Sequence, residues 1–117
     1  MKKWVGNWIV ATAILHTLFA FIVFKDTWKI IISNGIFNTA GDDAKIAGVV
    51  FFFLWGILFF AFGFTIKYLE KNNIPLPKVI GFTLLINAII ALIFVPESGF
   101  WLLLPPSIFI LYGRNTR

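Results

Sequence analysis

The single histidine, His16, is the residue of this 117-residue chain best suited to chemistry. It lies inside a long apolar run, where an ionisable side chain is costly and marks a ligand site, a proton path or an interhelical hydrogen bond. Trp55, Asn87 and Ser107 also bring polar atoms into apolar segments. Counted from the outer ends of those segments at about 1.5 Å per residue, His16, Trp55 and Asn87 fall about 12–14 Å deep and Ser107 about 10 Å deep. The expectation is one polar layer in the outer half of a helix bundle, with His16, Trp55, Asn87 and Ser107 as its ligand-binding set. Trp28, Asn34 and Glu97 fall in the outer connections and would flank the mouth of that pocket. Each has a plainer reading beside this one. His16 and Asn87 could bridge helices, Trp55 could be bundle packing, and Glu97 could be a solvated turn residue.

Other chemistries are set aside by residue type. There is no cysteine, which removes disulfides, thiol catalysis and thiolate metal sites. One histidine, with no carboxylate inside an apolar segment, cannot supply a metal site of ordinary ligand count. No glycine-rich phosphate loop is present, and the acids lie outside the apolar runs, away from any Ser-His-Asp arrangement. No catalytic residue, metal or cofactor is assigned, and the reading leans away from an enzyme.

The elements that must position these residues follow from composition. Hydrophobic residues make up 60% of the chain and charged residues 13%, against about 25% charged in ordinary soluble chains. Too little polar surface is available for water, so the surrounding solvent is expected to be lipid. Four apolar segments stand out within a single domain, residues 1–117, at about 4–24, 46–66, 79–95 and 100–112. The first two match the roughly 30 Å hydrocarbon core, and the third sits at the short limit. The fourth is too short to cross alone unless it starts inside the bundle, extends at Pro105-Pro106 or thins the membrane. Those prolines deprive the carbonyls of Trp101 and Leu102 of their helical donors, so each carbonyl needs another partner.

The connections carry their own signals. Residues 27–34 read as a short amphipathic helix lying in the interface, capped by Asp26 or Thr27, with Trp28, Ile31 and Ile32 on its apolar side and Asn34-Gly35 as its stop. Asp42 and Asp43 suit the N-terminus of the second long helix. Asn72, Asn73, Pro75 and Pro77 form a stop followed by a stiff linker, and Pro96-Glu97-Ser98-Gly99 a tight turn. Met1-Lys2-Lys3 before an apolar run resembles a signal peptide, but the run exceeds an h-region and lacks a small-residue cleavage site, so it reads as a retained first helix.

Charge distribution then orients the chain. Of ten Lys and Arg, Lys2, Lys3, Lys67, Lys71, Lys78, Arg114 and Arg117 fall on one side, and Lys25, Lys29 and Lys45 on the other. The bias puts both termini in the cytoplasm of a multi-pass inner (plasma) membrane protein. The basic residues flank apolar segments, so the net charge of +5 is a topology signal, and no nucleic-acid partner is assigned. The fold class expected is an all-α membrane protein, a four-transmembrane-helix bundle with a short interfacial helix in the first external loop.

Small residues mark where such helices meet. Gly6, Ala13, His16, Thr17 and Ala20 share one face of the first helix, with Leu15, Leu18 and Ile22 on another, towards lipid. Gly48, Phe52, Trp55, Gly56, Phe59 and Gly63 form a stripe on the second, and Gly81, Leu84, Asn87, Ala88 and Ala91 one on the third. The simplest arrangement has the three stripes facing one another.

Ser33-Asn34-Gly35-Ile36-Phe37-Asn38, Phe53-Leu54-Trp55-Gly56 and Val95-Pro96-Glu97-Ser98-Gly99-Phe100-Trp101 resemble a family of small bacterial four-helix membrane proteins. That family is similar over nearly the whole length and places a histidine in its first helix. It is a domain of unknown function, so the resemblance implies a fold and no activity. Size and helix count also resemble the small multidrug resistance transporters, in which the first helix carries an essential glutamate where this chain offers His16. A fainter similarity to the sterol-isomerase and sigma-2-type four-helix family lacks the matching pair of buried acids.

The leading functional expectation is a membrane protein that binds a lipid or a small hydrophobic molecule in an outer-half intramembrane pocket. The alternatives are a proton-coupled transporter acting as a homodimer, with His16 titrating, and an accessory subunit of a membrane complex. The partners expected are membrane lipid, a small hydrophobic ligand and, in the alternatives, further copies of the chain or another subunit.

Overall fold

The computed structural model describes residues 2–113; Arg114 and Arg117, counted above among the inner-side charges, lie outside them. All its elements are helical: α1 (Val5–Val23), α2 (Lys25–Ser33), α3 (Ala44–Lys71), α4 (Lys78–Phe94) and a 3₁₀ segment (Gly99–Leu103) running into α5 (Leu104–Tyr112). Two helices, α1 and α3, are long and apolar enough to cross a membrane, while α4 and Gly99–Tyr112 are shorter apolar helices.

Local chemistry explains most boundaries. The Asp43 carboxylate accepts hydrogen bonds from the Lys45 and Ile46 amides and starts α3. Asn73, at φ 55°, turns the chain out of its far end. Gly35, at φ 80°, takes the left-handed conformation after α2. Helix α2 begins at Lys25 without a side-chain cap, continuing almost directly from α1.

Helix α3 runs beyond the apolar run that stops at Ile66. Its last turns place Lys67 and Lys71 on the exposed face and turn Ile66 and Glu70 inward. A charged stretch can therefore stay helical at no desolvation cost for its lysines.

Helices α1 and α3 form an antiparallel pair set by glycines. A methyl group on Gly6 would lie 2.6 Å from the Lys67 backbone nitrogen, one on Gly63 2.8 Å from Val10 Cγ2, and one on Gly56 2.8 Å from Thr17 Oγ1. Three close approaches along one line hold the two backbones at small-residue distance. Gly48 takes no part, since a methyl there would meet nothing within 4 Å.

The α4 stripe has a different partner. Gly81 packs against Ile110 and Leu111 of α5, and no Cα of α4 comes within 8 Å of a Cα in α1 or α3. The expected three-way meeting of stripes is thus replaced by two pairs, α1 with α3 and α4 with α5. Phe59, Ile66, Leu84, Leu103 and Ile110 join the pairs through side chains, in one apolar core with Val5 and Ile9. The helix faces turned away from this core carry large apolar side chains, among them Leu15, Leu18, Ile22, Phe51 and Ile93, each more than half exposed.

Candidate functional site

His16 meets α3 directly. Its Nε2 lies 2.7 Å from the Phe52 carbonyl oxygen; a carbonyl only accepts, so this nitrogen carries the proton. The ring stacks on Phe52 at 4.0 Å between centroids, and Trp55 lies 5.8 Å away. Gly56 makes the approach possible, because a methyl there would stand 3.0 Å from His16 Cδ2. The contact bridges the two helices.

Trp55 and Asn87 come together elsewhere, in a groove of about 300 Å³ between α3 and α4, whose walls also include Leu58, Phe59, Phe62 and Leu84. The groove exists because the α4 stripe turns to α5 and leaves the α3 and α4 backbones apart. Its lining is largely apolar. Asn87 Nδ2 donates to the Thr83 carbonyl on its own helix, and the Thr83 hydroxyl donates to Val79. The polar tips on this wall are thereby satisfied in part without water.

The other residues assigned to a pocket are dispersed. Ser107 is fully buried, and its hydroxyl donates to the Leu104 carbonyl. It lies between Leu102, whose carbonyl meets Trp8, and Phe109, whose ring meets Trp4. That is the level of the first turns of α1, well away from His16. The Gly99–Tyr112 segment starts level with Trp55, midway along α3, so counting from Phe100 as an end of the bundle misplaces Ser107. Trp28 donates its indole N–H to the Ala20 carbonyl and packs on Phe21 and Phe53. It holds α2 on α1 and α3, and no Cα of α2 is within 8 Å of one in α4. Asn34 and Glu97 are exposed in turns.

The carbonyls orphaned by the proline pair have partners within the protein. Pro105 and Pro106 occupy the first turn of α5, where no N–H is required. The Trp101 carbonyl accepts from the Leu104 amide, and the Leu102 carbonyl accepts from Trp8 Nε1 at 2.7 Å.

One site residue is missing from the reading of the sequence. Glu70 is 2% exposed, and its two carboxylate oxygens accept from the Val5 amide at 3.1 Å and the Gly6 amide at 2.7 Å. It occupies the positive end of α1, where the first amides have no helical acceptors. A signal was present: Gly56, Gly63 and Glu70 recur every seven residues, so Glu70 continues the interface stripe by two further turns. Around it, Lys3, Asn7, Lys67 and Lys71 line a cleft of about 190 Å³. Among the described residues no group of three or more His, Cys, Asp or Glu is placed to hold a metal ion.

These features define an all-helical protein built on two helix pairs, with two helices apolar and long enough to span a membrane. The chain belongs to a family of unknown function, DUF6463, whose model matches residues 1–117. Membership agrees with the resemblance to an uncharacterised family and carries no activity with it. No curated protein and no solved structure matches the chain.

Proposed function

We propose that this protein spans the membrane several times, with both termini cytoplasmic, and holds a lipid acyl chain or other small hydrophobic molecule in the groove between α3 and α4. The groove is the observation that carries the reading. Its volume of about 300 Å³ lies at the lower end of small-ligand sites. Its walls are aromatic and aliphatic, with the Trp55 indole and the Asn87 amide as the groups able to orient a polar tip.

The membrane placement is supported by the exposed faces. Phe51, Ile22 and Ile93 are each about 70% exposed, a surface that water would penalise at about 25 cal/mol per Å². The Thr65 hydroxyl, on an outward face, turns back to the Ala61 carbonyl of its own helix, which suits surroundings without hydrogen-bonding solvent. Lys3, Lys67 and Lys71 gather at one end, in keeping with a cytoplasmic side. The four-span count requires α4 and Gly99–Tyr112 to cross together with α1 and α3.

Photolabelling tests the groove. A diazirine-bearing fatty acid incorporated into nanodiscs should label peptides carrying Leu58 or Asn87, and Thr83→Trp, which fills the groove from an exposed position, should reduce that labelling about tenfold. Equal labelling of the variant, or labelling spread evenly over all outward faces, would overturn the reading.

A further inference from the structure

At the opposite end of the α1–α3 pair from His16, the structure assembles a feature that the groove does not use. Gly6 lets the start of α1 lie against the α3 backbone at Lys67. That contact brings two pairs spaced by four residues, Lys3 with Asn7 and Lys67 with Lys71, to the two sides of one cleft of about 190 Å³. Lys67 and Lys71, four apart on α3, stand one above the other, while Asn7 on the first turn of α1 and Lys3, just before that helix, line the other side.

The acid at the floor of the cleft does not neutralise it. Both oxygens of Glu70 are engaged by the Val5 and Gly6 amides, and the side chain is buried. Its charge is directed at the terminus of α1, while three exposed lysines face outward. The lining keeps an excess of two positive charges and adds the Asn7 amide, a donor set that fits a tetrahedral oxyanion. Apolar surface borders it. Phe64 is 54% exposed, with Lys67 Nζ 5.9 Å from its ring centroid. A charged cleft with an exposed aromatic ring beside it suits an amphiphile better than a free ion.

We infer that Lys3, Asn7, Lys67 and Lys71 form a binding site for the phosphate of an acidic phospholipid, with Phe64 beside the start of the acyl chain. The site rests on the membrane placement proposed above and not on the groove, so Thr83→Trp should leave it unchanged. No covalent step is involved. Its effect would be to favour one lipid class at the cytoplasmic end and to strengthen the junction between α1 and α3.

The test is native mass spectrometry of the full chain released from nanodiscs of phosphatidylcholine doped with phosphatidylglycerol. Wild type should retain one phosphatidylglycerol in preference to phosphatidylcholine. Lys67→Gln/Lys71→Gln should lower that preference about thirtyfold, from about fivefold per lysine at a membrane surface. Lys67→Arg/Lys71→Arg should retain it, and Lys25→Gln/Lys29→Gln at the other end should not alter it. Unchanged helicity by circular dichroism in all variants separates lipid loss from misfolding. A preference that survives Lys67→Gln/Lys71→Gln, or that falls equally with Lys25→Gln/Lys29→Gln, would overturn the site. Displacement of the lipid by millimolar inorganic phosphate would assign the cleft to a free anion and overturn the lipid. A chain that stays dispersed in buffer without lipid or detergent would instead sink the membrane placement.

Discussion

The Glu70 carboxylate accepts a hydrogen bond from the Gly6 amide at 2.7 Å, joining the last turn of one long helix to the first turn of the other. Gly6 takes part twice, since its amide donates to Glu70 and its missing side chain admits the Lys67 backbone. A buried acid at this place acts as an N-cap supplied from a distant helix. Removing it leaves two buried amides unpaired at about 1–3 kcal/mol each. Glu70→Ala should therefore lose about 2–6 kcal/mol, and Glu70→Gln, which keeps one acceptor oxygen, about half as much. Thermal unfolding in mild detergent reads the difference, and a neutral Glu70→Ala would show that the cap contributes nothing.

The glycines of α3 should separate by position. At Gly63 a methyl would press on both the side chain and the backbone nitrogen of Val10, so Gly63→Ala should cost about 1–3 kcal/mol through overpacking. At Gly48 the space is open, and Gly48→Ala should be neutral or stabilising by about 0.5–1 kcal/mol, the helix-propensity gain. Equal effects at the two positions would contradict the α1–α3 register.

His16 is tested by keeping its ring and removing its donor. His16→Phe retains stacking on Phe52 and loses the bond to the Phe52 carbonyl, a cost of about 0.5–1.5 kcal/mol. His16→Ala loses both and should cost more. Neither change should affect photolabelling of the α3–α4 groove, because His16 does not line it. Loss of labelling in a folded His16→Phe would return the histidine to the ligand site.

Trp8 and Pro106 should be coupled. Trp8→Phe strands the Leu102 carbonyl, whose helical donor position is filled by Pro106, at about 1–2 kcal/mol. Pro106→Ala restores an N–H four residues on, so the double variant should be less destabilised than the sum of the two by about 0.5–1 kcal/mol. Strict additivity in unfolding midpoints would show that the indole bond does not serve that carbonyl.

Parts of this arrangement are legible in the sequence alone. Asp43 at the start of α3, the stop at Asn34-Gly35 and the apolar cores of the helices follow from neighbours within a turn or two. The need of the Leu102 carbonyl for a partner was equally plain, because proline lacks a donor wherever it lies. Glu70 was hidden by its neighbours: Lys67 and Lys71 read as the end of a hydrophobic run, whereas they only mark which face of the continuing helix is exposed. Ser107 was misplaced because nothing local reveals that the segment after Gly99 starts level with Trp55, midway along α3.

The sequence alone determined the helical class, the apolar segments and the small-residue stripes, since helix formation and amphipathicity depend on spacings of three, four and seven residues along one chain. The tertiary structure decided which stripes meet. It set α1 on α3 and α4 on α5, opened the groove that holds Trp55 and Asn87, and carried Glu70 to the amides of Val5 and Gly6. The physical reason is that a glycine stripe permits close approach to many faces. The partner that wins is fixed by complementary shape and by polar groups that can be satisfied only together, from residues far apart in sequence.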